Sequence, residues 1–108
     1  MSDSNWLLRR DPGGQELLTL RLYVAGDGPN SCEARANLAA MLKGRSAEQY
    51  DLEEIDFLRE PLRAMRDGVI VTPTLVKLAP RPVQRIIGTL RERRRVQTLL
   101  GLDEPGNG

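Results

Sequence analysis

The sequence predicts a single α/β domain with its elements in the order strand, helix, strand, helix, strand, strand, helix. Three observations carry that prediction. Leu18 to Val24 alternates in polarity, with Leu18, Leu20, Leu22 and Val24 on one face and Thr19, Arg21 and Tyr23 on the other. Ala34, Leu38, Met41 and Leu42 then recur at helical spacing. The run Val69 to Val76 is too apolar for a surface segment, and a turn and another short strand follow it. At 108 residues the chain has room for one core and no second domain.

Each element has a local reason. Asp11-Pro12-Gly13-Gly14 is a breaker, so residues 1–16 read as a mobile tail before a domain spanning residues 17–102. Trp6 is the one large aromatic in that tail. Gly26 to Pro29 ends the first strand, and Asn30 or Ser31 is positioned to cap the helix that Gly44 closes. Tyr50 to Phe57 is the second strand, with Ile55 and Phe57 pointing to the core. Pro61 suits the first turn of a short helix carrying Leu62 and Met65, closed by Asp67-Gly68.

A proline inside a buried strand is tolerated at its start, so Pro73 is placed at the head of the third strand in a cis bond. Pro80-Arg81-Pro82 turns the chain into a hairpin-paired strand, Val83 to Ile87, ending at Gly88. Thr89 to Glu92 matches a capping box, which predicts a helix over Arg91 to Leu102 with Leu90, Val96, Leu99 and Leu100 inward. Residues 103–108 read as a disordered end.

Composition narrows the function. An apolar fraction of 40% beside a charged fraction of 29% is that of an ordinary globular protein, not a disordered one. With no histidine and one cysteine, the chain lacks the commonest general base, the commonest metal ligand and any internal disulfide; no cofactor or metal site is expected. No stretch resembles a signal or a membrane span, so a cytoplasmic location is expected.

The net charge of +1 hides an asymmetry. Residues 48–60 hold six acids against Arg59, and residues 77–95 hold seven bases against Glu92. An electrostatically oriented partner, or self-association of opposite faces, fits this distribution, as does plain solvation of both faces. Nucleic acid is disfavoured because no aromatic residue is interleaved with the arginines.

Gly28-Pro29 after the first strand and Thr72-Pro73-Thr74 before the third resemble the thioredoxin framework. A dithiol enzyme needs a nucleophilic thiol at the helix start and a second thiol to resolve the mixed disulfide. Asp27 and Asn30 stand at those two positions and can do neither. Cys32 alone leaves a single-cysteine redox protein as a minor alternative, and a binding protein is expected rather than an enzyme.

A wider set of residues narrows the resemblance. Leu22-Tyr23-Val24-Ala25-Gly26, Pro29-Asn30-Ser31, Ile55-Asp56, Pro61, Thr72-Pro73-Thr74-Leu75, Lys77, Pro80, Pro82-Val83 and Arg85-Ile86-Ile87-Gly88 resemble the KaiB family of circadian clock proteins. The likeness runs over residues 17–102. It implies a non-enzymatic regulator that binds the clock ATPase ring KaiC, with partner contacts at Arg21, Tyr23, Asn30, Ser31, Glu33 and Arg85.

It also implies two folds: the thioredoxin-like βαβαββα order that binds the partner, and a self-associated ground state, βαββααβ, in which the second half is refolded. A dimer or tetramer is expected in that ground state. Pro73, Pro80, Pro82, Gly88, Thr89 and Glu92 lie in the segment that would switch, and proline isomerisation on a scale of about tens to hundreds of seconds would make such a switch slow.

Two departures from the family pattern remove positive charge: Glu33 stands where an Arg is common, and Gly68 where a Lys is. At a third, Thr89-Leu90-Arg91 replaces Asp-Leu-Ser and supplies the capping box, which favours the thioredoxin-like state. A stand-alone relative of the thioredoxin-like sensory domain of clock histidine kinases is the other reading of the same framework.

Overall fold

A computed structural model describes residues 9–101. The elements are β1 (Leu18–Val24), α1 (Pro29–Leu42), β2 (Tyr50–Asp56), α2 (Pro61–Arg66), β3 (Thr74–Ala79), β4 (Gln84–Ile87) and α3 (Arg93–Leu100), the predicted order. They form one four-stranded sheet, β2-β1-β3-β4. β1 runs parallel to β2 and antiparallel to β3, and β3 runs antiparallel to β4.

The period-2 alternation of β1 divides the interior in two. Leu18, Leu20, Leu22 and Val24 face α1 and α3, where Ala34, Leu38, Met41, Leu75, Val96 and Leu100 complete the main core. Tyr23, on the opposite face, joins Ile55, Ala64, Val69 and Val76 in a smaller core under α2, with Phe57 partly buried against it. β1 is thus buried on both faces, as expected of a strand with neighbours on both edges and helices above and below.

Several local expectations are corrected. The N-cap of α1 is Gly28, not Asn30 or Ser31. Pro29 lacks an N–H and has φ preset for a helix, so it takes the first helical position and starts the helix early. Ser31 is left to accept a hydrogen bond from the Ala25 N–H at 3.1 Å, tying the helix to the end of β1. The helix ends at Leu42 with Lys43 in a right-handed conformation, before Gly44 is reached.

The capping box does not form. Leu90 is buried with φ at 67°, a left-handed conformation no helix can pass through, so α3 starts at Arg93 with Glu92 as an N-cap whose side chain makes no capping bond. The helix also stops short of the expected Leu102: it ends at Leu100, where Gly101 takes a left-handed conformation and donates its N–H to the Gln97 and Thr98 carbonyls.

The apolar run Val69 to Val76 is only partly a strand. Thr74 pairs with Tyr23, next to the end of β1, and Pro73 has no N–H to extend the ladder. Nothing therefore covers Ile70 and Val71, which are 84% and 44% exposed, while Val69 is buried. Leu62 and Met65 of α2 also face outward; only Ala64 anchors that helix.

Part of the expected tail is folded. Arg10 bridges Glu16 around the Asp11–Gly14 turn, the Leu17 N–H donates to the Arg9 carbonyl, and Arg9 pairs with Asp51 of β2 at 2.6 Å. Trp6 and residues 103–108 lie outside the described residues. The Thr72-Pro73 bond is cis as expected, and so are Ala79-Pro80 and Arg81-Pro82.

Candidate docking site

Where a thioredoxin has its dithiol, this chain has a loop with Asp27 and Asn30 in place of the two cysteines. Arg35 of α1 holds the loop closed: its guanidinium donates to the Gly26 carbonyl at 3.0 Å, pairs with Asp27 at 3.2 Å and reaches Glu54 of β2 at 2.8 Å. Asp56 accepts from the N–H groups of Gly26 and Leu58, bonds that hold its carboxyl below the usual carboxylate range. Cys32 is exposed, its thiol donating to the Asp27 carbonyl at 3.4 Å, and no second cysteine exists to resolve a mixed disulfide. Among the described residues no cluster of side chains could hold a metal ion, and no helix is long and apolar enough to cross a membrane.

The expected contact residues fall into two groups. Arg21, Tyr23 and Arg85 share the α2 face of the sheet, around Asp67. The Tyr23 hydroxyl donates to the Asp67 carboxylate at 2.7 Å, and Arg21 lies 3.5 Å from the same oxygen and 3.6 Å from Glu53. Burial, and then the bond to Asp67, push the phenol up to about 12, with Arg21 opposing. Arg85 reaches across from β4 to donate to the carbonyls of Asp67 at 2.8 Å and Gly68 at 2.9 Å, closing the end of α2.

The second group surrounds the start of α1. Asn30 is exposed and Ser31 buried. Glu33 makes a two-pronged ion pair with Arg91, one bond at 2.9 Å, and that guanidinium holds the Glu33 carboxyl below its usual range. One turn on, Asn37 donates to the Thr89 carbonyl at 2.7 Å. Of the switch-segment residues, Pro73 is buried and its carbonyl accepts from the Gly88 N–H. Gly88 has φ at 118°, and Pro80 and Pro82 bracket the β3–β4 turn.

Sequence reasoning missed Asp67, Arg63, Arg35 and Arg91 as organisers of these groups. Arg63 bonds Glu53 at 2.7 Å and Glu60 at 3.6 Å, contacts that keep its guanidinium firmly charged. The acidic run of residues 48–60 is largely neutralised in this way inside the fold. The helical spacing of Glu60 and Arg63 was the one signal available for such a pairing.

Known proteins match this chain over nearly all of the described fold. The KaiB domain model matches residues 21–102. The chain belongs to the KaiB family. Among its relatives, the circadian clock oscillator protein KaiB of Prochlorococcus marinus (strain MIT 9211) is 48% identical over 84 residues, covering 78% of this chain and 72% of the relative. That of Synechococcus sp. (strain RCC307) is also 48% identical, with 74% of the relative covered.

Among solved structures, the N-terminal domain of Synechococcus elongatus SasA matches this KaiB-family chain with a TM-score of 0.64 at 24% identity, over 82% of this chain and 87% of that one. Mitochondrial thioredoxin 3 of Saccharomyces cerevisiae matches with a TM-score of 0.66 at 14% identity, over 90% and 83%. The fold of this KaiB-family chain is therefore thioredoxin-like.

Proposed function

We propose that this chain is a non-enzymatic clock or timing regulator that binds a KaiC-type ATPase ring in the thioredoxin-like arrangement described above. The observation that carries the reading is the family match across residues 21–102. Its support in the site is chemical: a framework without a resolving thiol, beside a docking face of fixed charge and exposed apolar side chains. Arg21, Tyr23 and Arg85 supply the polar part, Asn30 and Glu33 the rim with Ser31 buried behind them, and Leu62, Met65 and Ile70 the apolar area.

In this reading the ring selects the thioredoxin-like state from an equilibrium with a ground-state dimer or tetramer whose second half is refolded. Pro73, Pro80, Pro82, Gly88, Thr89 and Glu92 belong to the segment that changes. The protein acts in the cytoplasm and needs no cofactor.

Size-exclusion chromatography of the chain with KaiC and ATP from the same source, sampled over hours, tests the binding. Co-elution that builds slowly is expected, and absence of co-elution in every nucleotide and phosphorylation state overturns the reading. Cys32→Ser co-elutes like the parent; loss of binding in that variant would return the single-cysteine redox alternative. A stand-alone sensory module is the second reading, favoured by the likeness to the SasA domain. It predicts binding to the ring at once, with no slow phase.

A further inference from the structure

β4 is an edge strand of four residues, and among the described residues no strand pairs with its outer side. The Gly88 N–H donates inward to the Pro73 carbonyl. By the alternation of an antiparallel ladder, Ile86 and Gln84 also point their main-chain groups at β3, so those of Arg85 and Ile87 point outward. An unpaired edge of this kind is a template for another strand.

α3 runs alongside that edge and leaves a groove of about 540 Å³ between them. Ile86 and Leu99, both nearly buried, line its apolar part, while Gln84 and Arg85 stand on the strand side and Arg95 and Thr98 on the helix side. Arg94 lies one turn before Thr98. Among the described residues Arg93 and Arg94 meet no carboxylate, and Arg95 meets only Glu92, in an exposed pair at 3.5 Å. Exposed pairs of that sort exchange readily for other partners. Unlike the acidic run, this basic run stays largely uncompensated.

We propose that the groove between β4 and α3 docks an extended acidic segment of a protein partner, which pairs with the main chain of Arg85 and Ile87 and sets its carboxylates against Arg94 and Arg95. At about 3.3 Å per residue the strand offers room for about four residues of such a segment. Every second side chain of the guest enters the groove above Ile86 and Leu99. A nucleic acid fits less well, because the described aromatic residues, Tyr23, Tyr50 and Phe57, all lie elsewhere.

The test uses the full chain without KaiC, with peptide in enough excess to draw the chain into the thioredoxin-like state, so its outcome is separate from that of ring binding. A labelled eight-residue peptide alternating Glu and Val is titrated by fluorescence anisotropy, beside a Lys-Val counterpart and a single-stranded oligonucleotide. The Glu-Val peptide is expected to bind and to slow hydrogen exchange at the Arg85 and Ile87 amides. Ile87→Pro removes one outward donor without touching the β3 ladder and is expected to weaken binding roughly fivefold. The pair Arg94→Glu and Arg95→Glu abolishes it and keeps the test decisive where the proline variant unfolds. Equal binding of the Lys-Val peptide, unslowed exchange at the two amides, or binding of the oligonucleotide alone overturns the proposal.

Discussion

Gly68 illustrates how one missing side chain rearranges a charge. Its φ of +80° strains any L-residue, and a Cβ there would stand 3.1 Å from the Arg85 guanidinium. Arg85 occupies the space beside Gly68 and brings a cation to the end of α2. Gly68→Lys is expected to cost about 1–2 kcal/mol in urea unfolding, from backbone strain and from Arg85 losing a carbonyl. Glu33 is likewise met from across the fold, by the Arg91 guanidinium. Neither contact was readable from spacing, because the partners are 17 and 58 positions apart in the chain.

Tyr23 makes a pH prediction. Its folded pKa lies above the ordinary 10.0, so its contribution to stability is complete below pH 10 and is lost as pH rises through about 12. The stability gap between the parent chain and Tyr23→Phe should narrow across that window in denaturant melts. A constant gap would show that the phenol does not titrate with the fold.

At the scale of elements, the third helix separates what sequence discloses from what packing decides. Val96, Leu99 and Leu100 were legible as its inward face from periodicity alone. Its start was not, since the capping box at Thr89 to Glu92 lost to the burial of Leu90, a competition between local bonds and core area that no motif records. The same contest shortened the apolar run at Val69, where strand pairing ended with the neighbour it needed.

Glu92 is a poor N-cap as it stands. Glu92→Asp, which keeps the charge and shortens the reach, should stabilise the chain by about 0.5–1 kcal/mol in thermal or urea melts. No gain would mean that the helix start is already satisfied. No capping box holds the segment before α3; Glu33 and Asn37 of α1 hold it instead, through Arg91 and the Thr89 carbonyl. Reversing both charges, with Glu33→Arg and Arg91→Glu together, should restore stability that either change alone removes.

For the whole molecule, β1 is the organising element, with a large apolar core above it and a small core with a charged margin below. The order of elements along the chain and the main core follow from alternation and helical spacing, and those were legible; the small core around Tyr23 was not, because a tyrosine between Arg21 and the loop reads as part of the polar face. The proposed docking face was legible only as a set of residues, since Asp67 and Glu53 gather Arg21, Tyr23 and Arg63 through contacts made after folding. Leu62 and Met65 give the clearest separation of stability from binding. Leu62→Ser should leave the melting midpoint unchanged within about 0.5 kcal/mol while weakening co-elution with the ring. A large loss of stability would place that side chain in the core instead.

Arg85 belongs to both surfaces at once. Its main chain is part of the free edge of β4, and its guanidinium fastens the carbonyls that end α2. A guest strand that stiffens the edge therefore also stiffens the helix a second partner would touch, and the two occupants communicate through one side chain. Linkage makes that communication mutual: whatever factor the ring applies to the affinity of an acidic strand, the strand applies to the ring. Replacing Arg85 with Ala should reduce the factor to the part that comes from both occupants favouring the same fold.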